Sequence, residues 1–174
     1  MKNALTFGIL SGLALVSSWL ITQFFLIDES GQFDFSMGEI TGYAGMLLSM
    51  VVVFIGVKKY RDDQPGAVSF KQAFLAGLYI VLVASVIYVV GWMIYYPNFM
   101  PDFTEQYTAH IIAQYEADGM PQSEIDEKVV EMEAWMESYK NPFVIAGMTF
   151  LEFFPIGLLF ALIFGAVLKR KSKE

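Results

Sequence analysis

The chain of 174 residues has no cysteine and one histidine, His110. Without cysteine there is no disulfide framework, no thiolate nucleophile and no cysteine-ligated metal. His110 has no second ligand at a spacing such as HExxH, so a solvated or packing role is expected and no metal or other cofactor is implied. Charge is scarce too. Asp, Glu, Lys and Arg make up 17% of the chain, against about 25% in soluble proteins. Four stretches hold almost none of it: Ala4 to Ile27, Ile40 to Val57, Ala73 to Tyr96 and Phe143 to Leu168. No Lys, Arg or His falls in any of them.

What fills these stretches is apolar, and hydrophobic residues reach 56% of the whole. A bilayer-spanning helix needs about 20 apolar residues, within a range of roughly 17–25. All four stretches qualify; the shortest, Ile40 to Val57, makes about 27 Å of helix. The first is read as a retained span. Val16-Ser17-Ser18 could mimic a cleavage site, but the apolar run continues through "WLITQFFLI". A signal-peptide core is only about 7–15 residues long.

The net charge of −7 is segregated by sign. Of the eleven Lys and Arg, Lys2 precedes the first span, Lys58, Lys59, Arg61 and Lys71 lie between the second and third, and Lys169, Arg170, Lys171 and Lys173 form the tail. Only Lys128 and Lys140 lie elsewhere. Cytoplasmic loops carry the excess of positive charge. The expected architecture is therefore all-α: a four-helix transmembrane bundle within one membrane domain, 1–174, with both termini cytoplasmic and an external segment from Pro97 to Asn141. Such a protein belongs in the inner membrane. Trp92, Tyr95 and Tyr96 suit the outer headgroup level. Lys58, Lys59, Lys169, Arg170 and Lys171 are candidates for contact with anionic lipid; a role in setting orientation alone explains them as well. Nothing supports nucleic-acid binding.

Helix starts are expected at Ser36 with Glu39, Ser69 with Gln72, Asp102 with Glu105, and Ser123 with Asp126, by capping-box spacing or a near variant. Asn141-Pro142 suits an N-cap followed by the first helical position. Gln64-Pro65-Gly66-Ala67 fits a type II turn. The external segment reads as two helices, about Phe103 to Ala117 and Glu124 to Tyr139, forming a cap. In the second, Ile125, Val129, Met132, Met136 and Tyr139 make a narrow apolar stripe. It is expected to pack on Phe103, Tyr107 and Ile111; the sharper alternative is a seam for a second copy or a membrane-protein partner. Acidic residues such as Glu131, Glu133 and Glu137 read as a solvated face.

Within lipid, close helix contact depends on small residues. Gly8 and Gly12, Ala73 and Gly77, and Gly157, Ala161 and Gly165 have the required spacing. Spacing alone leaves open whether they meet within one chain or between chains.

The one Asp, Glu, Lys, Arg or His inside a span is Glu152, in "FLEFFPIGLLF". It lies about 15 Å along its helix, near the middle of a core about 30 Å thick. An acid there costs roughly 2.5–3.5 kcal/mol, while each Leu, Ile, Phe or Val returns about 0.3–0.6. Insertion therefore does not force a cationic partner, and none is present. Ser17, Ser18, Ser49, Ser85 and Tyr88 fall near the same level, so a neutral, hydrogen-bonded carboxyl is expected. Pro155 removes a backbone donor and crowds the Leu151 carbonyl, so a bend is expected beside it. An intramembrane acid points by default to a proton or cation site. A lone carboxyl without a paired acid favours an interhelical hydrogen bond instead.

Three stretches carry a resemblance: "GVKKYRDDQPGAVSFKQAFLAGL" (Gly56 to Leu78), "YKNP" (Tyr139 to Pro142) and "LEFFPIGLL" (Leu151 to Leu159), followed by the basic tail. With them the chain resembles the small membrane proteins of the domain-of-unknown-function family numbered 4199, found mainly in Bacteroidetes-type bacteria. The resemblance implies a four-helix inner-membrane protein and no activity. It adds weight to Glu152, Pro155, Tyr60, Arg61, Asp62, Gly66, Ser69 and Phe70. A non-enzymatic accessory or scaffolding subunit is the leading expectation. A small ion- or proton-coupled transporter using Glu152 is the alternative, and a membrane enzyme lacks a catalytic constellation.

Overall fold

Ser69 opens the longest helix of the chain. Its hydroxyl accepts from the Gln72 backbone N–H, and the Gln72 side chain accepts in return from the Ser69 N–H. Two otherwise unpaired donors are thereby satisfied. In the computed structural model, residues 2–27 and 32–170 are described. Among them are six helices: α1 Lys2–Leu26, α2 Phe35–Asp62, α3 Phe70–Phe99, α4 Phe103–Ala117, α5 Gln122–Tyr139 and α6 Pro142–Leu168. Four of them, α1, α2, α3 and α6, are long and apolar enough to cross a membrane. They outrun the apolar stretches because their ends continue into polar residues.

Helix α3 is the centre of the bundle and packs on α1, α2 and α6. Small residues set these contacts. A methyl group added at Gly8 or Gly12 of α1 would lie 2.6 or 2.7 Å from the Cβ of Val83 or Ile87 on α3. On α6, Gly157 faces Val81, Ala161 faces Gly77, and Gly165 meets the backbone of Phe74. The small-residue pairs identified by spacing thus meet within one chain, where close backbone approach strengthens dispersion contacts. The core they enclose holds Leu15, Met50, Val53, Ile80, Val81 and Phe153. The outward surface is apolar as well: Leu48, Ile94, Phe143 and Val167 are each at least 60% exposed. A lipid-facing surface requires this, whereas a soluble monomer rarely exposes such extended apolar patches.

The chain ends, as far as they are described, lie together at one end of the bundle, at Asn3 and Arg170. Asn3 Nδ2 donates to Asp63 Oδ2 at 2.7 Å, and Val68 and Arg170 exchange backbone hydrogen bonds of 2.9 and 2.8 Å. The type II turn expected here does not form. It needs a positive φ at Gly66, and among the described residues only Gly119 has one. Instead the loop turns its carbonyls toward Arg170, whose guanidinium donates to Gln64 O at 2.6 Å and Gly66 O at 2.5 Å.

Other helix starts also differ. Asp34, not Ser36, caps α2 by accepting from Met37 N. Pro121, not Ser123, precedes α5, and its fixed φ ends the preceding turn without a side-chain cap. Asp102 stands before α4 but makes no capping bond. Asn141 caps α6 as expected, with Pro142 next. Helix α6 continues without interruption through Pro155.

Helices α4 and α5 pack on each other at the opposite end of the bundle. The apolar stripe of α5 faces inward: Ile125 and Met136 are buried, and Val129 and Met132 are half-buried. Lys128 Nζ sits 5.8 Å from the centre of the Tyr115 ring on α4. Tyr107 on α4 and Tyr139 on α5 turn toward the bundle.

Candidate functional site

Glu152 and Tyr88 come together from α6 and α3. The Tyr88 hydroxyl donates to Glu152 Oε2 at 3.2 Å. Of the hydroxyls expected at this level, Tyr88 alone meets the acid. Ser49 pairs with Ser11, oxygen to oxygen at 2.6 Å. Ser85 and Ser18 donate to carbonyls of their own helices, Val81 and Leu15, and Ser17 lies on the outer surface. Position along a helix gives a depth but not a face, and that is why counting residues gathered hydroxyls that do not reach the acid, although Ser18 lines the same cavity. Ser11, the partner of Ser49, went unseen for the same reason.

The Tyr88 ring is one wall of an aromatic cluster. Trp19 on α1 lies 4.7 Å from Tyr88 and 5.1 Å from Trp92, centre to centre. Trp92 Nε1 donates to Tyr139 Oη at 3.0 Å, linking α3 to α5. Phe35, at the start of α2, packs against Phe103, Tyr107 and His110 of α4 at 5.3 to 5.7 Å. Tyr95 donates to the Gln23 side chain across α3 and α1.

These rings line an open cavity of about 440 Å³. Glu152 lines it at the level of Tyr88, and Tyr107, His110 and Gln114 line it from α4. The α2 residues Gly38, Glu39, Gly42 and Met46 line a further side. Near the chain ends α2 and α6 touch, with Phe54 and Phe164 rings 5.2 Å apart; at the other end the cavity lies between them. Its lining includes two carboxylates, Glu39 and Glu152, and no Lys or Arg. Toward the chain ends from Glu152 the core is filled, with Phe153, Val81, Ile80, Val57 and Val53 fully buried.

His110 meets the Phe35 ring and the Gln114 side chain, the latter at 3.1 Å. Among the described residues no three His, Asp or Glu side chains are grouped for a metal ion. Burial pushes the Tyr139 phenol above its usual range.

The loop motif near the chain ends holds the turn in place. Arg61 pairs with Asp62 at 2.7 Å, Gly66 accepts from Arg170, and Ser69 caps α3. Tyr60 packs on the core, and Phe70 stacks on Phe74. Of the basic residues expected to contact lipid, Lys58 and Lys169 are exposed. Lys59 pairs with Asp63 at 2.6 Å, Arg170 is committed to the loop carbonyls, and Lys171 lies outside the described residues.

The model of a protein family of unknown function, DUF4199, matches residues 6–170. The chain belongs to the DUF4199 family. The DUF4199 match takes in the span helices, the α4–α5 pair, the cavity and the bridge at Arg170. No curated protein matches the chain, and no solved structure matches it.

Proposed function

We propose that this DUF4199 protein is a non-enzymatic accessory protein of the cytoplasmic membrane that works by binding a small ligand in the cavity beside Glu152. Both termini are cytoplasmic in this reading, and the cavity, lined in part by α4, lies in the outer half of the bundle. The distribution of Lys and Arg supports the orientation. A reporter fused to the C-terminus and found outside the cell would reject it.

One observation carries the binding reading: a cavity of about 440 Å³ walled by aromatic rings, with an acid set into it. Ligand sites are typically concave, mostly apolar, roughly 300–1,000 Å³ in volume and furnished with a few polar groups. The test uses Gly42, which lines the cavity and has nothing within 4 Å of an added Cβ. Gly42→Phe should fill the space and leave the fold intact. A small-molecule screen by thermal shift on the full chain in nanodiscs should yield ligands that stabilise the wild type and not Gly42→Phe. If every stabilising compound acts equally on both proteins, the cavity is not the binding site.

Transport through Glu152 is the second reading, favoured because the acid lines an open cavity. The filled core beyond it argues for a closed end. Proton or cation flux in reconstituted vesicles that is lost in Glu152→Gln would establish transport instead. Ile125 and Met136 are already buried within the chain, so a partner that used them would first have to uncover them. An accessory role therefore draws on the exposed side of α5, with Val130 and Trp135, rather than on its stripe.

A further inference from the structure

We infer that the ligand of this cavity is a small organic cation of the quaternary ammonium class. The inference rests on the binding reading above and adds the chemistry of the guest. Three features of the lining point the same way.

The first is charge. The lining includes Glu39 and Glu152 but no Lys or Arg; Glu152, expected neutral while the cavity is empty, would be held in its ionised form by a cation beside it. An anion would meet two acids and no Lys or Arg, so the cost of desolvating it would go uncompensated. The Tyr88 hydroxyl engages Glu152 Oε2, and Oε1 remains for a guest.

The second is the wall. The indole of Trp19 packs between Tyr88 and Trp92, at 4.7 and 5.1 Å. A cation in contact with Glu152 is therefore held beside the rings of Tyr88 and Trp19. Cations within about 6 Å of a ring centre are attracted by its quadrupole, most strongly by Trp, and aromatic cages are the usual sites for quaternary ammonium groups.

The third is the lack of an oxygen cage. Calcium takes about 6–8 oxygen ligands, and among the described residues no group of three acidic or His side chains gathers for a metal ion. A quaternary ammonium needs neither an oxygen shell nor hydrogen-bond acceptors. Rings and one carboxylate are enough. Its source is a free solute or the headgroup of a lipid entering between α2 and α6.

The experiment is titration calorimetry on the full chain in phosphatidylglycerol nanodiscs. The probes are phenyltrimethylammonium, its neutral isostere tert-butylbenzene, and benzenesulfonate. Phenyltrimethylammonium should bind best and should lose at least tenfold in affinity in Glu152→Gln. A second variant guards against misfolding: Trp19→Phe, which keeps an apolar ring but a weaker quadrupole, should weaken the cation several-fold and leave tert-butylbenzene unchanged. Equal or tighter binding of tert-butylbenzene or benzenesulfonate overturns the cation assignment and leaves the binding reading standing. If no probe binds, and no screened compound distinguishes Gly42→Phe from the wild type, both fall. Admixed phosphatidylcholine separates the sources: competition with the probe assigns the lipid headgroup, and unchanged affinity assigns a free cation.

Discussion

Tyr88 on α3 donates its hydroxyl to Glu152 on α6 across 3.2 Å, and no other side-chain hydrogen bond joins these two helices among the described residues. The small residues Gly77, Gly157, Ala161 and Gly165 already bring α3 and α6 close. The polar pair is therefore added to an interface that packing maintains. Interhelical hydrogen bonds within membranes contribute about 0.6 kcal/mol on average. Tyr88→Phe keeps the ring against Trp19 and should destabilise by about that amount in reversible unfolding. Glu152→Gln keeps an acceptor and should cost no more. A double-mutant cycle of Tyr88→Phe with Glu152→Leu, which removes the acceptor, should return a coupling of the same size; a coupling of several kcal/mol would make the pair the main tie between the helices.

Packing at Gly165 should matter more. An added Cβ would lie 3.0 Å from Phe74 Cα and 3.1 Å from its backbone nitrogen. Backbone cannot rotate aside as a side chain can, so α6 must shift. Gly165→Ala should cost roughly 1–3 kcal/mol, the usual range for overpacking. Gly42→Ala, in open space, should be close to neutral. Thermal unfolding in one detergent compares them directly.

The span helices and the α4–α5 pair were legible because hydrophobic runs and periodic stripes are local signals. Helix α4 occupies Phe103–Ala117 as expected, and Ile125 and Met136 are buried as their spacing suggested. Capping signals succeeded at Ser69 and Asn141, where the helix has no earlier start. At Ser36 and Ser123 the helix had already begun, after Asp34 and Pro121. The cavity was not legible. Its walls join Trp19, Phe35, Tyr88, Tyr107 and Tyr139 from five helices, and no sequence period relates them. Arg170 likewise read as a tail charge, because its partners are carbonyls more than 100 positions away.

That last contact yields a further expectation. Arg170 donates to both Gln64 O and Gly66 O, with its backbone paired to Val68. A planar guanidinium can serve both carbonyls at once, while an ammonium acts as a point donor. Arg170→Lys should therefore loosen residues 64–68 almost as much as Arg170→Ala. Hydrogen exchange at Val68 N–H should rise in both variants, with α1 protection unchanged. Full retention of protection in Arg170→Lys would assign the loop's order to the backbone bridge alone.

The stripe of α5 makes a related prediction. Met136 is 5% exposed, so Met136→Lys would bury an unpaired ammonium or force α5 away from its neighbours. The α4–α5 pair should lose protection while the four spans keep theirs, since α5 contacts them far less than they contact one another. A stable fold that lost only a co-purifying partner would instead make Met136 an interface residue.

Tyr139 links that pair to the bundle and has a pH signature. Its oxygen accepts from Trp92 Nε1 at 3.0 Å, yet burial raises its pKa. Unfolded tyrosine ionises at about pH 10. The folded form therefore holds its proton where the unfolded form has begun to lose it. By linkage this stability is complete below about pH 10 and is lost as pH rises toward the folded value. Ring-carbon NMR of labelled tyrosine, assigned by Tyr139→Phe, should show the residue titrating later than the exposed tyrosines. Trp92→Phe removes a donor that favours the phenolate, so it should delay the titration further. An earlier titration in that variant would mean that water replaces Trp92 and that the site is already open to solvent.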